Sequence, residues 1–430
     1  MRPNLSDLGP LTPGVTILPR VTVAVLSLLL CVASAAQADD WFQFRGPNGE
    51  GHSTALGLPT HWSKTEHVRW RQPIPGRGWS SPICVGNQIF LTTAVPSGST
   101  HSLHVLSLDA VTGKILWDET IFERLATDRA RIHSKNSHAS PTPLADGGRL
   151  FVHFGTHGTA CLSLDGKVLW KTRDLVYQPN HGSGGSPVLV DGVLVFSCDG
   201  ADKQFVAALD ADTGKLRWKK NRPPCDEPKK FAFGTPLVIE VDGRKQIVSP
   251  GANWVVAYDP QTGDEIWRVR YEGYSVVPRP VYGNGLVYLS TSFDSAQVLA
   301  IRSTGHGDVT DTHVAWRQSR SAPSTPSPLL IGNNLFLISD SGVASCLDAK
   351  TGKPRWTHRI GGTFSASPMV AEGRIYLLSE MGESTIFRAT GERYVEIARN
   401  KLDERALASL AVIDRGLLLR TDEALYRIEN

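Results

Sequence analysis

Methionine is scarce, no two cysteines are adjacent, and neither sign of charge prevails. With 3 Met against 40 Gly and 11 Trp, the chain tilts away from helix bundles and toward turn-rich β structure. A net charge of +3, with no basic patch or tail, excludes an electrostatically driven nucleic-acid binder. Hydrophobic residues make up 41% of the chain, which excludes a disordered polymer. The 6 Cys are widely spaced and contain no C-x-x-C, which argues against a disulfide framework. Catalytic signatures are missing too. GSGGS (182–186) is neither a G-x-S-x-G elbow nor a phosphate loop, because no Lys-Ser/Thr pair follows it. FRGPNGEG (44–51) lacks the acidic spacing of a Ca²⁺ loop. Both read as turns.

The apolar run from Val21 to Ala35 covers 15 residues, short of the roughly 20 that a membrane-spanning helix needs. Arg20 precedes it and Ala36-Gln37-Ala38 follows, a small-x-small cleavage pattern, so residues 1–38 read as a secretory signal with the mature chain starting at Asp39. An uncleaved anchor is the alternative. Leu30 before Cys31 is not the small residue that a lipoprotein signal requires. The protein is therefore expected to be exported, periplasmic or extracellular in a bacterium, with no membrane span after cleavage. The mature chain carries 43 basic and 41 acidic residues. Of its five cysteines, Cys84, Cys161, Cys198 and Cys346 sit in apolar strand-like runs where a free thiol packs as a small hydrophobe. With Cys225 they leave one incidental disulfide open.

What is abundant is repetition. LDAVTGKILW (108–117), LDADTGKLRW (209–218), YDPQTGDEIW (258–267) and LDAKTGKPRW (347–356) are copies of one phrase, with LSLDGKVLW (162–170) and FRATGERYV (387–395) as weaker ones. The anchors Trp70, Trp117, Trp170, Trp218, Trp267, Trp316, Trp356 and Val395 are spaced by 47, 53, 48, 49, 49, 40 and 39 residues, making eight units. Before each phrase comes an X-Pro step (Pro82, Pro143, Pro187, Pro236, Pro280, Pro328, Pro368; Leu410 in the eighth) and two apolar runs across a turn, the pattern of a hairpin. Four strands per unit of 40 to 50 residues is the period of a propeller blade. In the D-x-x-T-G-K turn, Asp and Thr can bond backbone N–H groups and Gly takes the positive φ, while the Trp fills the wedge between blades. The motif is thus structural. Trp70 precedes the first X-Pro strand and the last unit lacks a fourth strand. The expected fold class is all-β: an eight-bladed β-propeller of four-stranded antiparallel blades, one domain over 39–430, closed by an N-terminal strand that completes the last blade.

These phrases resemble the quinoprotein-type propellers, whose blades carry an Ala/Leu-x-Asp-x-x-Thr-Gly-Lys-x-x-Trp signature. WFQFRGPNGEG (41–51), NSHASPTP (136–143), HGSGGSPVLVDG (181–192) and VVPRPVYGNGLVY (276–288) are similar to exported bacterial pyrroloquinoline-quinone-like repeat proteins. The resemblance implies two branches. Quinone-dependent dehydrogenases hold pyrroloquinoline quinone and Ca²⁺ with a stacking Trp, a vicinal Cys-Cys disulfide and carboxylate and amide ligands. The second branch resembles the propeller lipoprotein of the outer-membrane protein assembly machinery, which binds partner proteins. This chain has no vicinal Cys pair and no long insertions, so the dehydrogenases' catalytic residues find no matching motif.

In a propeller, the residues before each inner strand line the channel mouth with the loops between second and third strands. The pre-Pro residues are Ser81, Thr142, Ser186, Thr235, Arg279, Ser327 and Ser367, with Ser409 in the eighth unit. Arg279 breaks a series of small hydroxyls; it either clamps an anionic ligand or plugs the channel, pairing with an acid such as Asp294 or Asp340. Five of 13 histidines fall between His133 and His181. His138, His157 and His181 could share one rim and hold a metal, although no spacing matches a metal signature; the bland alternative is hydrogen-bonded loop histidines. Asn136 belongs to the phrase before the second inner strand. Asp199, Asp202, Asn253 and Trp254 fall on loops of the same face, and Trp79 precedes the first inner strand, a set compatible with a planar or sugar-like ligand or with plain core packing. The candidate ligand-binding set is thus Trp79, Asn136, His138, His157, His181, Asp199, Trp254 and Arg279, with no catalytic residue assigned. The function expected is a monomeric binding scaffold for an envelope protein or a small-molecule or carbohydrate ligand; the alternative is a quinone- or metal-dependent oxidoreductase.

Overall fold

A computed structural model of the chain describes residues 40–123, 132–225, 229–291, 293–294 and 296–430. The expected signal over 1–38 lies outside them. Among the described residues the strands form eight sheets arranged as the blades of a propeller, each built on four antiparallel strands that follow sequence order in all but the last. Blade 1 comprises Ile83–Val85, Gln88–Ser97, Thr100–Asp109 and Ile115–Glu123. Each short first strand follows an X-Pro step or, in blade 8, Leu410. Blade 8 takes Ala411–Ile413, Gly416–Arg420 and Ala424–Ile428 from the C-terminus and Val68–Pro73 from the N-terminus, with Arg71 opposite Tyr426. This closure leaves no open end in the ring of blades.

The repeated phrase does its work between blades. In seven blades the outer pair of strands shifts register one step before the turn, as between Ser107 and Leu108 or Cys346 and Leu347, which is the bulge that a turn with a positive-φ glycine makes. Asp109 Oδ1 accepts the backbone N–H and the hydroxyl of Thr112, both at 2.7 Å, and Asp210, Asp259 and Asp348 repeat the arrangement. The Trp of one blade lies on the turn of the next: Trp70 Nε1 donates to Ala110 O, Trp170 to Ala211 O, Trp218 to Pro260 O and Trp316 to Ala349 O, at 2.8–3.0 Å. That is why the turn needs glycine, since a Cβ on Gly113, Gly214, Gly263 or Gly352 would fall inside the preceding blade's indole.

Blade 4 departs from the repeat. The turn of blade 5 has diverged, so Trp267 bonds Gln246 Oε1 in its own blade at 2.9 Å, and a two-residue strand, Gly307–Asp308, adds in parallel beside Trp267 and Arg268 as a fifth strand.

FRGPNGEG (44–51) forms turns, with Gly46 N on Gln43 O and Gly49 N on Gly46 O, and the segment around it, 41–53, runs across the inner strands of several blades. Trp41 O accepts from Cys84 N, Phe42 O from Ala145 N and Gly51 O from Val370 N, while Glu50 Oε1 accepts from Tyr282 N and His52 Nε2 meets Leu330 O. It contacts blades 1, 2, 5, 6 and 7, and Trp41 is 1% exposed. Cys84, Cys161, Cys198, Cys225 and Cys346 are free thiols. Among the described residues no helix is long and apolar enough to cross a membrane.

Candidate functional site at the channel mouth

Small hydroxyls precede the inner strands because they tie the blades together. The backbone N–H of Ser81 donates to Thr142 Oγ1, that of Thr142 to Ser186 Oγ, and that of Ser186 to Thr235 Oγ1. The chain of bonds resumes from Arg279 N to Ser327 Oγ, then to Ser367, Ser409 and back to Ser81, every link between 2.9 and 3.1 Å. The hydroxyl ring is broken at the Thr235–Arg279 step, where Arg279 Nε donates instead to Pro236 O at 3.1 Å.

Above this ring opens a cavity of about 650 Å³. Phe44 from the N-terminal segment and seven ring hydroxyls line it. One wall is aromatic: Phe231, Phe233, Tyr274 and Phe293, with ring centroids of neighbours 5.4–5.9 Å apart. Lys229 stands over Tyr274 and donates to its hydroxyl at 3.2 Å. His133 and His181 continue that wall, their rings 5.3 Å apart, and His181 meets Phe231 edge-on. Burial, with His133 and Lys229 close by, holds the His181 imidazole below the ordinary histidine range. The lining also includes Lys135, paired with Glu380 at 2.8 Å, and Asp340, whose oxygens accept from Ser324 N, Thr325 N and Thr325 Oγ1.

Of the eight candidates, three line this cavity: Trp79, Asn136 and His181. Trp79 is 6% exposed, with the guanidinium groups of Arg77 and Arg405 over its ring at 5.2 and 5.4 Å from the centroid. Asn136 donates to His181 O at 2.9 Å and so holds the histidine at its φ of +67°. The histidine rim does not form as expected. His138 meets His157, at 5.7 Å between rings, and His101, at 4.8 Å, both at tilted angles, while His181 meets His133 edge-on. Among the described residues no three His, Cys, Asp or Glu side chains are placed to hold a metal. Asp199 is not a rim acid; it forms a fully buried, two-pronged ion pair with Arg222 at 2.7 Å, since a carboxylate without solvent needs a fork of donors. Trp254 is packed in the core between blades 3 and 4, its Nε1 on Pro224 O. Arg279 pairs with neither Asp294 nor Asp340 but donates to backbone carbonyls beneath the cavity.

Sequence reasoning missed the aromatic wall. KKFAFGT (229–235) and YSVV (274–277) lie just ahead of the inner strands of blades 4 and 5, so the positional rule that marks the pre-Pro residues marks them too when extended a few residues upstream. Phe44 carries no such signal, because its place depends on where the whole N-terminal segment runs.

The family described as outer membrane protein assembly factor BamB matches residues 63–221, 202–332 and 308–394. The chain belongs to this family of PQQ-like repeats. It is similar to tetrathionate hydrolase of Acidithiobacillus ferrooxidans (23% identical, covering 73% of this chain and 65% of that one) and to the BamB of Burkholderia pseudomallei (26% identical, covering 82% and 84%). The fold matches that of the quinohemoprotein alcohol dehydrogenase ADHIIG of Pseudomonas putida HK5, with a TM-score of 0.62 at 11% identity over 91% of this chain and 80% of that one. The chain spans between about a third and two thirds of the length of the first curated relatives it matches.

The residues at the channel mouth do not fit a Ca²⁺-held quinone. Calcium takes six to eight oxygen ligands, carboxylates among them. Among the described residues the acid lining this cavity, Asp340, already accepts three hydrogen bonds, and Glu380 is taken by Lys135 and Ser365. The five described cysteines form no disulfide that could cover a ring.

Proposed function

We propose that this protein is an exported binding propeller of the cell envelope, without turnover of its own, that seats an anionic group carried on an apolar or aromatic body in the channel-mouth cavity. The ligand is a small molecule or the tip of a partner protein. The observation that carries this reading is the asymmetry of the cavity: four aromatic rings with Lys229 and His181 on one wall, facing a ring of hydroxyls. Aromatic faces take the apolar body, and the ammonium and imidazole N–H groups take the charge. The similarity to an outer membrane protein assembly factor supports a binding role and an envelope location.

The test uses purified protein incubated with pyrroloquinoline quinone and Ca²⁺, then absorbance and metal analysis, beside capture from envelope extracts. Expected are no stoichiometric quinone and a captured ligand whose retention falls roughly tenfold or more, about 1.4 kcal/mol, in Lys229→Gln and Phe231→Ala. Its affinity should rise as pH falls below the ordinary histidine range, where His181 gains a proton and a positive charge. A stoichiometric quinone band with alcohol-dependent dye reduction would establish the oxidoreductase instead, and capture indifferent to both substitutions would move the site elsewhere.

A further inference from the structure

Behind Phe44, whose ring lines the cavity, two guanidinium groups are buried against one short loop. Arg45 and Arg279 are each 2% exposed. Arg45 Nη2 donates to Glu50 O and Pro328 O at 2.8 Å, but its buried Nε and Nη1 meet no acceptor among the described residues. Arg279 Nη1 donates to Phe44 O at 2.9 Å. Gly49 and Gly51 let the loop lie directly on these groups, since a Cβ at either position would strike the guanidinium of Arg279 or Arg45.

The charges do not balance. Glu50 is the acid that acts on both guanidinium groups, and its Oε1 is held by Tyr282 N at 2.7 Å. Burial first, and Arg45 among its neighbours, hold His52 below the ordinary histidine range, against its adding a third positive charge. Two cations against one carboxylate leave a net positive charge out of water, and arginine cannot relieve this by losing its proton. Burial and repulsion from Arg279 pull Arg45 down to about 9, a measure of how poorly the protein alone supports its charge. Two buried N–H donors without an acceptor among the described residues, beside an uncompensated charge, are the chemistry of an anion site.

We propose that a small inorganic anion with the charge and size of chloride is bound between Arg45 and Arg279, accepting from Arg45 Nε and Nη1. It completes the seat of the N-terminal segment and is separate from the cavity ligand. Crystals of the protein grown or soaked in bromide test it directly. An anomalous peak within hydrogen-bond range of Arg45 Nε and Nη1 is expected; the absence of a peak there, with water or nothing in its place, would overturn the proposal. In solution, the unfolding midpoint should rise saturably with chloride but not with gluconate at equal ionic strength, as linkage requires for a ligand of the folded state. That chloride-specific rise should vanish in Arg45→Gln. If that variant fails to fold, Arg279→Gln serves in its place, and equal midpoints of the wild type in both salts count against the site whatever the variants do.

Discussion

Gly214 stands at a φ of +69° with the indole of Trp170, from the preceding blade, lying across it. Two separate penalties meet there: a left-handed backbone that an L side chain resists, and a steric one, because a methyl would enter the ring. Gly192, at +78° with nothing within 4 Å of an added Cβ, carries the first penalty alone. Gly214→Ala should therefore cost about 3 kcal/mol and Gly192→Ala about 1 kcal/mol in denaturant unfolding. Equal costs would mean that the Trp-on-glycine contact contributes nothing. The phrase D-x-x-T-G-K is legible as a structural turn from its residue types. That its glycine answers to a tryptophan some 40 residues away is not, because the two come from different blades.

The inner strands are only three to five residues long, so their hold on one another rests on the residues ahead of them. Ser367 Oγ accepts from Ser327 N and donates to Ser327 Oγ, at 3.1 and 3.0 Å. Ser367→Ala strands a buried N–H and should destabilise by roughly 1–3 kcal/mol, measured by urea midpoint, whereas Ser367→Thr keeps the acceptor and should lose far less. The series Ser, Thr, Ser, Thr, Arg, Ser, Ser, Ser is readable along the chain by its spacing, and so is its odd member. What the hydroxyls do is not, since each bonds the neighbouring blade. The role of Arg279 depends in turn on the segment at 41–53, whose Phe44 carbonyl accepts from its guanidinium.

Across the whole molecule, acid should act through buried neutral groups. His153 is 2% exposed, bonded to Thr159 Oγ1 at 2.9 Å and packed at a tilt against Phe196; burial, then His157, lowers its pKa from 6.5 to about 3. A group depressed in the folded state but ordinary when unfolded gives stability that is complete above 6.5 and drains as pH falls toward 3. Between pH 7 and 4 the loss should be about 3 kcal/mol, and His153→Gln should flatten that slope; an unchanged slope would show that other groups dominate. The eight repeats, their hairpins and the closing N-terminal strand were determined by the sequence alone, because turn chemistry and strand periodicity are local and recur at a fixed spacing. The site was not. The cavity joins Phe44, Trp79, the aromatics at 231–293 and Asp340 from parts of the chain up to about 300 residues apart, and Asp199 and Trp254, which carry the same signal as rim residues in the sequence, were sent to the core by the partners they met there. Only closure of the ring decides which loops face one another across the channel, and that is a property of the packed blades.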